Sequence, residues 1–193
     1  MRWSASHLVS LALLAGCSSG PLPPEWRQNA RSALDSFQQH YLRGDTRGAE
    51  LEFARAKAEL ASTGNPALVG RAELVRCAVR AASLEFDHCP GFEKLRADAG
   101  AEELAYADFL SGKMERTATE DSLSRLVSHG VKFNGGQATP ENISAAVDIA
   151  SAQGWRRPLL AWLGVQEKRA EVAGDREALE RIRRRIALVS GKA

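Results

Sequence analysis

The chain of 193 residues carries 26 Lys and Arg against 24 Asp and Glu, a formal net charge of +2. This balance creates no strong positive field, so we expect no nucleic-acid binding. Alanine is abundant, β-branched residues are sparse and aromatic residues make up 6%. That composition favours an all-α protein, either a helical solenoid or a helical bundle. No apolar run after residue 16 is long enough to span a bilayer.

The N-terminal residues have the pattern of an export signal. Arg2 supplies a positive charge, residues 8–14 are mostly apolar, and Leu14-Ala15-Gly16-Cys17 follows. The apolar run is too short for a permanent membrane helix but suits a signal peptide. The last four residues resemble the lipobox of bacterial lipoproteins at every position. The resemblance implies a diacylglyceryl group on the Cys17 thiol, cleavage before Cys17 and acylation of the new amine. The alternative is a plain secretory signal with an incidental cysteine.

A lipid anchor on Cys17 would determine where the protein lies. Each buried methylene contributes about 0.8 kcal/mol, so three acyl chains would hold it permanently on a membrane. In lipoproteins an Asp after the cysteine tends to cause inner-membrane retention, so Ser18 favours the outer membrane, facing the periplasm. Pro and Gly in residues 17–24 predict a short tether. We expect a signal peptide at 1–16, an acylated tether at 17–24 and a single α-helical domain at 25–193.

The first predicted helices form a pair joined at Gly44-Asp45. Pro23 and Pro24 suit a helix start, and apolar residues then recur every three or four positions, at Trp26, Ala30, Leu34, Phe37 and Tyr41. The second helix has Ala49, Phe53, Ala56 and Leu60 on its inner face. Gly44, Ala49, Phe53 and Ala56 resemble the second half of a tetratricopeptide motif, in which small residues let two helices approach closely. An ordinary αα-hairpin would fit the same pattern.

Residues 67–86 are predicted to form a central helix, because apolar residues cover most of its circumference. The remaining narrow face carries Glu73, Arg76 and Arg80. This charged stripe is a candidate ligand-binding groove. It is also what a solvated helix face with local ion pairs would look like.

Cys77 and Cys89 are the cysteines that remain after Cys17. In an oxidising periplasm an even pair usually forms a disulfide, which requires the chain to double back after the helix near Phe86. With His88 they are too few ligands for a metal site, and their spacing is too wide for a thioredoxin-like redox motif. We predict a structural disulfide; the alternative is two reduced, independently buried cysteines.

Further helices are predicted along the rest of the chain. Residues 92–98 and 101–110 precede a stop at Ser111-Gly112. Thr117 and Glu120 fit a capping box for a helix that Gly130 closes. Asn134-Gly135-Gly136 indicates a loop. Thr139 as N-cap and Pro140 at the first helical position begin a helix that ends at Gly154.

The last predicted pair spans residues 158–188 and turns at Gly174-Asp175, as the first pair does at Gly44-Asp45. Its second helix carries four arginines, at Arg181, Arg183, Arg184 and Arg185. These could face anionic lipid or an acidic partner. They could also have a structural role, because the helix dipole favours cations near a helix C-terminus.

Catalytic motifs are not recognisable. His40, His88 and His129 are scattered, and the chain has no metal-binding histidine pair, nucleophile elbow or phosphate loop. We therefore predict no cofactor and no metal. The leading hypothesis is a membrane-anchored interaction scaffold whose groove binds another envelope protein or a peptide. The alternatives are a peptidoglycan-modifying enzyme, since a pair of catalytic carboxylates leaves no sequence signature, and a purely structural component of a larger machine.

Overall fold

A computed structural model describes residues 23–115 and 119–192. Within these ranges the chain forms nine α-helices, one 3-10 turn and no strand, so the predicted all-α fold is confirmed. The helices are α1 (Glu25–Arg43), α2 (Thr46–Ala61), α3 (Pro66–Ala82), α4 (Pro90–Glu93), α5 (Ala101–Leu110), α6 (Ser122–Asn134), α7 (Pro140–Ala152), α8 (Arg156–Ala173) and α9 (Arg176–Ser190), with the 3-10 turn at Arg96–Asp98. The lipobox and its Cys17 lie outside the described residues. No helix in the described ranges has the length and apolar character needed to cross a bilayer.

Helices α1 and α2 pack along their length as an antiparallel hairpin. The predicted inner face of α2 is buried, and so is most of the predicted apolar face of α1: Phe37 and Phe53 are almost inaccessible, and their ring centroids lie 4.9 Å apart. Ala49 and Ala56 are fully buried and leave room for this close approach. The spacing of small and aromatic residues therefore positions the two helices, as the sequence indicates.

Helix α3 lies at the centre and contacts α1, α2, α5 and α6. It ends at Ala82, four residues earlier than predicted, and Leu84 adopts a left-handed φ of 60°. The Ser83 hydroxyl donates to the Val79 carbonyl, and the Glu85 N–H donates to the Arg80 carbonyl. The prediction was wrong because Leu84 and Phe86 continue the helical apolar pattern but pack against the core from a loop.

The segment after α3 also differs from the prediction. Residues 92–98 are not one helix but the end of α4 followed by the 3-10 turn. Helix α6 begins at Ser122, after Glu120, and its cap is Asp121, whose carboxylate accepts from the Ser124 N–H. Thr117 itself lies outside the described residues. At α7 the predicted cap is present, because the Thr139 hydroxyl accepts from the Asn142 N–H.

Helices α7, α8 and α9 complete the fold as successive neighbours. Trp162 of α8 is fully buried and donates its indole N–H to the Ala82 carbonyl at 3.0 Å. That bond satisfies a carbonyl at the end of α3 and joins the C-terminal helices to the central one. One hydrophobic core lies among α1, α2 and α3, and a second lies among α3 and α5–α8.

Candidate functional site

The predicted charged stripe of α3 is occupied by internal ion pairs. Glu73 is buried and pairs with Lys57 of α2. Arg76 donates to Glu50 of α2 at 2.9 Å. Gly91 also lies so close to Glu73 that a Cβ there would come within 2.2 Å of a carboxylate oxygen. The stripe therefore contacts α2 through ion pairs between the two helices, and it contacts α4 through the close approach of Gly91 to Glu73.

Arg80, the third residue of the stripe, contributes to a polar junction beside α8. Its guanidinium pairs with Asp87 at 3.3 Å. Arg157, at the start of α8, donates to the Tyr41 carbonyl at 2.8 Å and to Glu85 at 3.3 Å. Its guanidinium also lies 4.3 Å from the Tyr41 ring centroid. Burial, and next the Glu85 carboxylate, raise the pKa of Tyr41 well above its ordinary value. This junction joins the first hairpin to the last one.

The predicted cysteine pair is confirmed at bonding distance. Cys77 and Cys89 form a disulfide with their Cα atoms 5.7 Å apart. Cys77 is buried in the core that contains Leu74 and Ala81, as predicted. His88 and Cys89 both adopt left-handed φ values, which turn the chain back over the end of α3. The two sulfur atoms and Asp87 could otherwise hold an ion, since their ligand atoms lie within 4.8 Å of one another, but the disulfide occupies both sulfurs.

An open groove lies between α1 and α3. Its volume is about 720 Å³. Its floor is apolar and consists of half-buried side chains: Trp26, Leu34, Leu68 and Val75. The sequence placed Trp26 and Leu34 on the same apolar face as the buried Phe37, because residues that line a groove and residues that line a core share one periodicity. We call this surface the α1–α3 groove.

Cations border the α1–α3 groove. Arg27 stacks on Trp26, with its guanidinium 5.4 Å from the ring centroid. Arg27 and Arg31 form no ion pair with any carboxylate in the described ranges. Arg71 pairs with the buried Glu103, whose pKa is lowered first by a hydrogen bond from its own backbone N–H and also by Arg71. Two of the three arginines on the rim are thus available to an external group.

The groove continues along α1 toward the C-terminal half. A second depression of about 480 Å³ shares Asp35 and Gln38 with it and is lined by Leu42, Leu123 and Trp155. Because α1 rises about 1.5 Å per residue, the combined surface extends roughly 24 Å along this helix. That length suits an extended or helical segment better than a small compact molecule.

A separate cavity of about 770 Å³ lies between α5 and α6, beside His129. The Nδ1 atom of His129 is buried and has no hydrogen-bond partner in the described ranges. Burial, and then Lys132 and Arg125, lower the pKa of His129 below its ordinary value. A raised carboxylate pKa in a concave surface would favour the enzyme hypothesis. Among the described residues, every carboxylate with a shifted pKa has it lowered, namely Asp45, Glu103, Asp121 and Glu141.

No protein-family model, curated protein or solved structure significantly matches this chain.

Proposed function

We propose that this protein is a lipoprotein anchored through Cys17 to the outer membrane, facing the periplasm, and that it acts as a helical interaction scaffold. The observation that carries the interaction role is the α1–α3 groove, with its apolar floor and its arginine rim. A tetratricopeptide-like arrangement of the helix pairs is part of the same proposal.

The chemistry of the groove fits a polypeptide partner. Half-buried apolar side chains that face an open surface gain from further burial, at about 25 cal/mol per Å² of apolar area. Trp and Arg are the residues that most often dominate binding energy at interfaces. Trp26 and Arg27 lie together at one end of the groove, and Leu34 and Leu68 follow. An amphipathic segment of an envelope protein could therefore bury its apolar side chains here and place acidic groups near Arg27 and Arg31.

The position of the groove also suits an anchored protein. Only the residues 18–24 separate Cys17 from the start of α1, so a fully extended tether reaches about 25–30 Å. Trp26 lies in the first turn of α1, next to the point where the tether enters. We therefore expect the partner to be a protein that is itself at the membrane surface.

Two variants test the lipid anchor and the α1–α3 groove independently. Cys17→Ala should leave unprocessed precursor and abolish labelling by a fatty-acid analogue. Leu68→Arg should leave labelling intact but reduce co-purification of envelope proteins, measured by quantitative mass spectrometry. The matched control is Leu51→Arg, because Leu51 is 64% exposed on α2 and does not line the groove. Labelling that survives in Cys17→Ala would refute the anchor, and equal co-purification by both arginine variants would refute the groove.

A further inference from the structure

A second concave surface lies at the opposite end of the chain, among α7, α8 and α9. It has a volume of about 540 Å³ and an apolar floor that includes Ile143, Ala170 and Ile182. We call it the α7–α9 cleft. It shares no lining residue with the α1–α3 groove.

The four arginines of α9 divide into two groups by their surroundings. Arg183 pairs with Glu167 at 2.7 Å and with Glu171 at 2.9 Å, so α8 neutralises its charge. Arg184 lies outside the cleft and is 4.0 Å from Glu180 of its own helix. Arg181 and Arg185 both line the cleft instead.

A third arginine faces the same space from α8. Arg169 lines the cleft opposite Arg181 and Arg185. Arg181 pairs with Glu177 on the helix surface, whereas Arg169 and Arg185 form no ion pair within the part of the chain that the structure describes. The lining contains three guanidinium groups; one is ion-paired and two are not, although the charge of Arg169 reaches the Glu141 carboxylate of α7, whose pKa is lowered first by its own backbone N–H and also by Arg169.

Among the described residues, the one carboxylate that lines the cleft is already engaged. Asp175 caps the start of α9, where its Oδ1 atom accepts the Ala178 N–H at 2.9 Å. Its negative charge also interacts favourably with the positive end of the α9 dipole. The cleft thus combines an apolar floor with a surplus of positive charge at its edges.

We propose that the α7–α9 cleft binds an acidic polypeptide segment in which apolar side chains alternate with carboxylates. Arg169 and Arg185 would each donate a charge-assisted pair of hydrogen bonds to a carboxylate. The apolar side chains of the segment would enter the recess and cover Ala178 and Ile182, which are only half-buried. A membrane surface fits less well, because a flat array of headgroups could reach the arginines but not a recessed floor between helices.

The experiment selects ligands without assuming a partner. Random short peptides displayed on phage are selected for binding to the whole mature protein. The affinity of the enriched peptide is then measured by fluorescence anisotropy. The expected peptide combines Asp or Glu with Leu or Ile. Arg169→Gln and Arg185→Gln should each weaken its binding about tenfold, because the amide can keep one of the two hydrogen bonds but loses the other together with the charge. Replacing its acidic residues by their amides should have the same effect.

The control variant is Arg184→Gln, which removes the same charge from the same helix outside the cleft and should change the affinity less than twofold. Leu68→Arg, in the α1–α3 groove, should also leave peptide binding intact. A lack of acidic peptides, or equal losses from Arg184→Gln and Arg185→Gln, would overturn the proposal. Binding to phosphatidylglycerol vesicles that depends on Arg169 and Arg185, without peptide binding, would assign the cleft to a membrane surface instead.

Discussion

The α1–α2 hairpin and the α8–α9 hairpin turn through the same two residues. Gly44 and Gly174 both end their helices in the left-handed conformation, with φ values of 90° and 69°. The next residue is an Asp that caps the second helix by accepting an N–H three positions later. Two distant parts of the chain thus reverse direction by identical backbone chemistry.

Burial distinguishes the two hairpins. Helix α2 packs against both α1 and α3, and it buries Phe53 along with two alanines and a leucine. Helix α9 has α8 as its principal neighbour and contributes no fully buried residue. The turn is therefore a local property of Gly and Asp, whereas burial depends on whether a third helix covers the outer face. The uncovered end is where the α7–α9 cleft remains open.

The largest expected effect tests this difference in burial directly. Phe53→Ala should lower the free energy of unfolding by about 3–5 kcal/mol, because it removes a buried ring that contacts Phe37 and lies under the Arg76 guanidinium. Ile182→Ala in α9 should cost clearly less, since that side chain is only half-buried. Urea unfolding followed by circular dichroism measures both. Equal losses of unfolding free energy would show that the two hairpins contribute equally to stability.

The disulfide should affect the C-terminal hairpin most. Replacing Cys77 and Cys89 together by Ser opens a loop of 12 residues and should cost about 3 kcal/mol. The bridge holds the loop that carries Glu85, the partner of Arg157 at the start of α8. Hydrogen exchange should therefore rise more in α8 than in α1, with the helices retained. Two free thiols in unfolded, unreduced wild-type protein would contradict the bridge itself.

Two glycine-to-alanine substitutions compare a crowded helix contact with an open helix surface. A Cβ on Gly130 of α6 would lie 2.1 Å from the Ala81 carbonyl oxygen of α3, so Gly130→Ala should destabilise by about 1–3 kcal/mol or more. Gly164 of α8 has no such neighbour within 4 Å, and Gly164→Ala should be stabilising by roughly 0.5–1 kcal/mol through helix propensity. Melting temperatures that move in the same direction would contradict the packing described for α3 and α6.

The smallest expected effect on stability comes from the two aspartates that cap α2 and α9. Asp45 also contacts the His40 imidazole at 2.8 Å, an extra partner with no counterpart at Asp175 in the described contacts. Asp45→Ala should therefore lower the melting temperature by a few degrees, and Asp175→Ala by less. The Gly48 N–H, and next His40, lower the pKa of Asp45 in the folded state. Its stabilising contribution is thus present above its ordinary pKa of 3.8 and is lost as the pH falls below it. A difference between the variants that persists under strongly acidic conditions would contradict this origin.

Sequence alone predicted the features that depend on neighbours along the chain. The Gly44-Asp45 and Gly174-Asp175 turns, the Thr139 cap and the inner face of α1 follow from local hydrogen bonding and helical periodicity. The end of α3 was missed because Leu84 keeps a helical apolar pattern that a loop can satisfy equally well against the core.

The open surfaces were harder to predict, for a different physical reason. Leu60 and Leu68 are both apolar residues near the ends of helices and both line the α1–α3 groove, yet Leu60 is buried and Leu68 is only half-buried. Which one is covered depends on how α1, α2 and α3 are placed in space. The division of the α9 arginines has the same origin, because the partners of Arg183 lie on α8.

Photocrosslinking in living cells tests the scaffold role most directly. A benzophenone amino acid is placed at Leu68, on the floor of the α1–α3 groove, or at Leu51, on the outer face of α2. We expect one discrete crosslinked product from position 68, little from position 51, and loss of the product when Arg31 is changed to Glu. Equal crosslinking from both positions, or none from position 68, would contradict the proposal that this groove binds a partner.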